Sequence, residues 1–319
     1  MTRLGVIGLG AAALLAATSG AFAQGYPNQT VRIVVPFSAG SITDGLARIL
    51  ADKLATMWKQ QVIVENRPGL PGTASVATAA KDGYTLMLTS TGHTIARAIS
   101  KTVPFDPVKD FAGVSIVASA PVVAIVPPDS PAKTLKEFIE LARKNPGKLN
   151  FSSAGVASTT FLAAEVLRQE AKIDMVHVPF KGAPEAVTAV IRGDVQFYFA
   201  PLPAAQSLGA AGKVRVLAIN TAKRAPQLPD VPTVAEAALP NYKNEAWFGV
   251  MAPAGTPAAV LTKVSQDIAT VLKMKDVIDQ MQKVGNIPMP TTPAEFDAII
   301  KSDTERFTKV MAAAGIAPK

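Results

Sequence analysis

The chain has 319 residues, 49% of them hydrophobic, with 32 Lys and Arg against 24 Asp and Glu, two His and no Cys. That profile excludes intrinsic disorder, a disulfide-stapled miniprotein and any cysteine-based catalysis or zinc–cysteine site. The net charge of +8 is spread along the chain with no run of five basic residues, so a small anion is a better expected partner than nucleic acid.

The first segment reads as an export signal. Arg3 is a charged start, Leu4 to Ala17 is a short uncharged apolar stretch, and Ala21-Phe22-Ala23 before Gln24 has the small-x-small form of a leader peptidase site. Cleavage is therefore expected between Ala23 and Gln24, with residues 1–23 removed. Reading Gly8 to Ala13 as a dinucleotide turn fails on context, because the first acidic residue, Asp44, lies too far downstream to hold a ribose.

From Val31 onwards, short β-branched runs alternate with amphipathic helical patterns. Val31–Val35 predicts a buried strand, followed by a helix with Leu46, Ile49, Leu50, Leu54 and Met57 on one face. Val62–Val64 is the next strand, then a Pro/Gly-rich turn at Arg67–Gly72, an Ala/Val helix to about Ala80, and a strand at Tyr84–Leu88. Strand, helix, strand, helix, strand is the signature of a parallel sheet with crossover helices. Phe111 to Pro128 is uncharged but broken by Gly113 and Pro121, which predicts two buried strands, Val114–Ala118 and Val122–Val126, rather than a membrane helix.

The pattern restarts after Pro127–Pro131. Helices are predicted at Leu135–Arg143, Thr159–Gln169 and Ala183–Ile191, and strands at Leu149–Phe151, Met175–Val178, Val195–Phe199 and Val214–Ile219. Thr221–Asn244 is loop-rich, Trp247–Met251 is a strand, and helices follow at Ala258–Leu272, Lys275–Val284, Pro293–Ile300 and Ser302–Ala314. This order predicts two α/β lobes, 24–125 plus 246–319 and 126–245, each a mostly parallel sheet flanked by helices, with a cleft between them.

An open parallel sheet places its ligand crevice where strands end and helices begin. Phe37-Ser38-Ala39-Gly40-Ser41-Ile42-Thr43-Asp44 occupies such a place, and Ser41 followed by Asp44 resembles a capping box. Gly40, free N–H groups and the hydroxyls of Ser38, Ser41 and Thr43 form a candidate carboxylate nest, although an ordinary capped helix has the same residues. Ser152 to Thr160 repeats the arrangement in the other lobe, and two such N-termini facing each other would favour an anion between them.

Thr89, Ser90 and His93 follow the third strand and are candidates for the cleft rim. Lys181 sits at another strand-to-helix turn, and Phe37, Phe180 and Trp247 are candidate apolar walls. No nucleophile elbow, phosphate loop or His-Glu-x-x-His motif is present, and two distant His without Cys predict neither a catalytic triad nor a transition-metal site. No cofactor is expected.

Taken together, the motifs resemble the periplasmic solute-binding proteins of tripartite tricarboxylate transporters, the Bordetella uptake gene family. The matching stretches are Val34-Val35-Pro36-Phe37 through Asp44 with Ala47-Arg48, Val64-Glu65-Asn66-Arg67-Pro68-Gly69, Asp82–Leu86, and Phe105-Asp106-Pro107 with Asp110-Phe111. They continue with the turn at Ser152, His177–Gly182, Pro229–Thr233 with Glu236, and Ala252–Pro257, covering almost the whole chain after the leader.

The resemblance implies a two-lobed, type II-like binding-protein fold in the periplasm of a Gram-negative bacterium. Such a protein closes on a small carboxylate and passes it to integral membrane subunits. It also implies a monomer, no enzymatic activity, and ligand contacts through backbone amides, hydroxyls and bridging waters. Carried onto this sequence, the contacts fall on Ser38 to Asp44 and on Ser153, Ala154, Gly155, Ser158, Thr159 and Thr160, with Phe180, Lys181 and Gly182 at the third turn.

Many relatives have a second Gly at position 41, a His at 161 and an Asp at 196. The Ser41, Phe161 and Gln196 of this chain therefore imply a ligand with an apolar or aromatic part beside its carboxylate. A carboxylate-sensing component of a signalling system would have the same soluble chain.

Overall fold

The computed structural model describes residues 25–37, 39–155, 158–180 and 182–318. The proposed leader with its Ala23–Gln24 cleavage site, and the candidate residues Ser38 and Lys181, lie outside the described residues.

The first sheet begins as the alternation predicts. β1 (Val31–Val35), α1 (Ile42–Trp58), β2 (Val62–Asn66), α2 (Leu70–Ala77) and β3 (Thr85–Ser90) form a parallel unit in which β1 pairs with both β2 and β3. α1 lies on that sheet because Leu46, Leu50 and Leu54 recur on one face and are fully buried. Each such leucine contributes roughly 1.5–3 kcal/mol by leaving water. After a 3-10 turn (Thr91–Ile95) and α3 (Ala96–Ile99), β4 (Phe111–Ser119) leads the chain to the second sheet.

There, β5 (Val122–Val126), α4 (Leu135–Lys144), β6 (Asn150–Ser153), α5 (Thr159–Ala171), β7 (Val176–Pro179), α6 (Ala183–Ile191), β8 (Phe197–Pro201), α7 (Leu202–Ala210) and β9 (Arg215–Ile219) follow in order. The short α8 (Val234–Ala237) precedes the return strand β10 (Trp247–Pro253). The chain ends with α9 (Ala258–Val271), α10 (Lys275–Lys283), β11 (Ile287–Pro288) and α11 (Pro293–Ala313).

The strand orders are β11-β4-β10-β3-β1-β2 and β7-β6-β8-β5-β9. The expected two α/β sheets are therefore present, but each is mixed rather than mostly parallel. β10 is antiparallel to β3 and β4, and β5 is antiparallel to β8 and β9. The reason is directional: strands whose C-terminal ends meet the cleft run towards it, whereas β5 enters from the crossing and must run away from it.

The two crossings lie side by side. The Ala120 N–H donates to the Ala246 carbonyl at 2.8 Å. Asn220, 3% exposed, clamps both strands, with Oδ1 accepting the Val122 N–H at 2.8 Å and Nδ2 donating to the Asn244 carbonyl at 2.5 Å.

Several segments differ from expectation, among them the 3-10 turn with α3 and the short β11, none of which the sequence pattern predicts. α7 is unanticipated; its Ala-rich run opens on Pro203. α8 forms inside the predicted loop, because Thr233 and Glu236 make a capping box. The two predicted C-terminal helices are one, since Ser302 turns its hydroxyl onto the Ile299 carbonyl at 3.1 Å and does not interrupt the backbone.

This long helix serves both lobes. Phe296 and Ile300 pack with Phe111 and Trp247 of the first, while Phe307, Val310 and Met311 pack with Phe161, Leu162 and Leu167 of the second. Among the described residues no helix is long and apolar enough to cross a membrane.

Candidate functional site

The turn between β1 and α1 is built around Asp44. Ser41 caps the helix, its hydroxyl accepting the Asp44 N–H at 3.2 Å. The carboxylate does not close the box onto Ser41. Oδ2 instead accepts the Gly40 N–H at 2.9 Å, where a φ of +81° favours glycine.

Arg48 donates to both carboxylate oxygens at 3.0 Å, and Asn66 Nδ2 donates to Oδ1 at 3.0 Å and to the Phe37 carbonyl at 3.2 Å. Asp44 is 4% exposed, and these donors, Arg48 foremost, pull its pKa down to about 2. The chain's own carboxylate thus takes the Gly40 N–H of the expected nest. Ala39, Gly40 and Ile42 are exposed around it and Thr43 is buried beneath.

The turn between β6 and α5 carries no charge. Ser158 caps α5 by accepting the Phe161 N–H at 3.1 Å. Thr160, 3% exposed, gathers the loop: its hydroxyl oxygen accepts the Ala154 N–H at 3.0 Å and lies 2.9 Å from the Ser158 hydroxyl. Ser153 accepts the Gly155 N–H at 3.1 Å and pairs with His177 Nε2 at 2.7 Å.

Burial lowers the His177 pKa to about 4, so the imidazole is neutral at pH 7 and shares one hydrogen bond with the Ser153 hydroxyl. Ser153 is fully buried, and the pair props the loop from behind. The N–H groups of Thr159 and Thr160, at the first turn of α5, have no acceptor within the helix.

Between the sheets lies a cavity of about 410 Å³. Ser158 and Thr159 face it from the second lobe, and Thr73, Thr89, Ser90 and His93 from the first. Phe37, Leu70, Ile95, Ile99, Phe105 and Leu162 supply its apolar side. Among the described residues no Lys, Arg, Asp or Glu lines it, and no cluster of His, Cys, Asp or Glu is arranged to hold a metal ion.

His93 is 6% exposed, stacked on Phe105 at 5.8 Å between centroids and edge-on to Phe111 at 4.8 Å. Its Nε2 lies 2.9 Å from the Pro107 carbonyl, which can only accept, so Nε2 carries the proton. Nδ1 is buried without a partner, and burial lowers the pKa to about 4.

The structure thus brings Phe37, Thr89, Ser90, His93, Ser158 and Thr159 to one cavity. Ser153, Ala154, Gly155 and Thr160 shape the second loop without lining the cavity, and Ser41 to Asp44 do the same for the first. Phe180 and Gly182 flank the serine loop, the Phe180 N–H donating to the Ser153 carbonyl at 3.0 Å, with Gly182 as N-cap of α6.

Trp247 is core, 1% exposed, with Nε1 donating to Asp303 at 2.9 Å. Phe161 is also core, packed on Phe151 and His177, and Gln196 clips the Asn150 N–H and the Gly193 carbonyl. Neither lines the cavity, so the apolar character inferred from those two positions comes from other residues.

Sequence reasoning missed Leu70 and Thr73 at the start of α2, and Ile95, Ile99 and Phe105 beyond His93. The turn at Arg67–Gly69 between β2 and α2 is a strand-to-helix connection like the other two and could have been found by the same rule.

Residues 46–316 match the family described as tripartite tricarboxylate transporter family receptor. A curated relative from Pseudomonas sp. (strain P51), a UPF0065 protein in the tcbD-tcbE intergenic region, is 35% identical over 94% of this chain and 91% of its own. Protein BugT of Bordetella pertussis is 33% identical over 99% and 98%.

Among solved structures, an R. palustris protein with adipate superposes with a TM-score of 0.72 at 32% identity, covering 92% of this chain and 100% of that one. MatC from Rhodopseudomonas palustris with bound malate gives 0.67 at 31%, covering 89% and 99%.

Proposed function

We propose that this chain, which belongs to the tripartite tricarboxylate transporter receptor family, is exported to the periplasm. There it captures a small organic acid with an apolar part by closure of its lobes and delivers it to the membrane subunits of such a transporter. The observation that carries the proposal is the cavity between the sheets, where the first turn of α5 presents Ser158 and Thr159 opposite Thr89, Ser90 and Phe37.

A carboxylate at that turn gains the unpaired N–H groups and the positive end of the helix dipole. Leu70, Ile99, Phe105 and Leu162 cover an apolar body. Contacts to both sheets favour the closed arrangement, which the membrane partner then distinguishes from the open one. The relatives solved with adipate and malate support a carboxylate as the ligand class.

A thermal-shift screen of the purified protein against a panel of carboxylates tests this. A cleft ligand stabilises by RT ln(1 + [L]/Kd), about 2.7 kcal/mol at a hundredfold excess over Kd. A panel in which no acid raises the melting temperature overturns the proposal.

A further inference from the structure

We infer that Thr73 and Thr89, with the uncapped start of α2, form a second polar subsite that reads an acceptor oxygen at the far end of the bound acid. This deepens the receptor reading above and rests on it. Ser158 and Thr159 face the cavity from the second lobe, and these two threonines face it from the first. Thr73 is 6% exposed and Thr89 3%, so both are buried. Among the described residues neither hydroxyl has a hydrogen-bond partner, and neither is sealed into the packing. Both side chains line the cavity, and that is where the hydroxyls open. Polar groups held this far from bulk water without a partner in their own chain are costly unless a ligand supplies one.

The backbone adds to them. α2 starts on Gly69, which has no side chain to cap the helix. Pro71 carries no N–H, and the Gly72 N–H turns back onto the Gly69 carbonyl at 3.2 Å. The Leu70 N–H, in the first turn, has no acceptor within the helix, and the positive end of the α2 dipole lies at the same place. Ser90 adds a third hydroxyl to the lining, and among the described residues no carboxylate lines the cavity to oppose an acceptor. These neutral donors suit a terminal carboxylate or hydroxyl at the end of an apolar body. A terminal methyl would leave both threonines unpaired.

Titration calorimetry at pH 7.5 with two matched sets tests the inference: butanoate, 4-hydroxybutanoate and succinate, and hexanoate, 6-hydroxyhexanoate and adipate. Within a set only the far end differs. In at least one set the hydroxy acid or the diacid is expected to bind about ten times tighter than the plain acid, or more. Which of the two binds tighter tells a neutral oxygen from a charged one. Plain acids that match or exceed both partners in both sets overturn the inference, as does failure of all six to bind. The receptor reading falls only when an entire carboxylate panel fails.

Thr73→Val and Thr89→Val keep the shape and remove one hydroxyl each. At least one of them is expected to lower the preference for the oxygenated acid by about fivefold or more while the plain acid keeps its affinity. The corresponding Ser variants are expected to retain the preference. Folded Val variants that both leave the preference unchanged overturn the inference. An equal loss for plain and oxygenated acids does so too, since it marks the threonines as structural.

Discussion

Asp44 gathers the turn before α1 onto its own carboxylate, which holds the Gly40 N–H, Arg48 and Asn66. The Ser41–Asp44 spacing made the helix cap legible in the sequence. The route of the carboxylate to Gly40, Arg48 and Asn66 was not, because Asn66 reaches it from the end of β2 across the sheet. Its depressed pKa makes the stabilisation dependent on pH with a definite sign. The folded state binds the proton more weakly than the unfolded chain, so the contribution is complete above the ordinary carboxylate value near 4 and is lost as pH falls towards about 2.

Asp44→Asn is expected to lower stability by about 1–3 kcal/mol at pH 7, the range for a buried charge-assisted hydrogen-bond set. The gap between the urea midpoints of the two proteins should narrow steadily as pH falls from 4 towards 2. A gap that stays constant over that interval would assign the loss to packing rather than to charge.

At the scale of the element, the first turn of α5 depends on a side chain that never meets the cavity. Thr160 joins the Ala154 N–H to the Ser158 cap, so the loop that presents Ser158 and Thr159 is held from beneath. Thr160→Val keeps the shape but leaves the half-buried Ala154 N–H without its acceptor, a loss of about 1 kcal/mol. The expected outcome is a lower melting temperature together with weaker carboxylate binding, both restored in Thr160→Ser. Weakened binding with an unchanged melting temperature would instead mean that Thr160 touches the ligand itself.

The hydroxyl-rich turn was visible in the sequence as Ser, Ser, Thr and Thr around a glycine. Which hydroxyls cap, which brace and which face the cavity was not, since Thr159 and Thr160 are neighbours of the same residue type on opposite sides of the helix start.

At the scale of the whole molecule, α11 ties the lobes together. Its second half lies in one cluster with Ile95 of the first lobe and Leu162 and Leu167 of the second, and Gln169 Nε2 donates to the Val310 carbonyl at 3.1 Å. Ile95 and Leu162 also line the cavity, so the helix that joins the lobes supports the site from behind. The lobes are expected to unfold as one cooperative unit despite their separate sheets. Phe307→Ala removes a fully buried ring and should cost about 3–5 kcal/mol. Calorimetry is expected to show a single endotherm in both proteins, displaced as a whole in the variant. Two resolved endotherms in the unsubstituted chain would contradict this.

Local pattern alone determined most of the elements, their order, and the location of two turns where strands meet helices, because period, caps and breakers act within a few residues. It also removed cysteine chemistry and left little room for histidine chemistry before any fold was considered. Only the tertiary structure decided that Asp44 turns its carboxylate onto the Gly40 amide, that Phe161 and Gln196 lie away from the cavity, and that one C-terminal helix packs on both lobes. Each of these depends on contacts between residues far apart in the chain, and no local pattern specifies those.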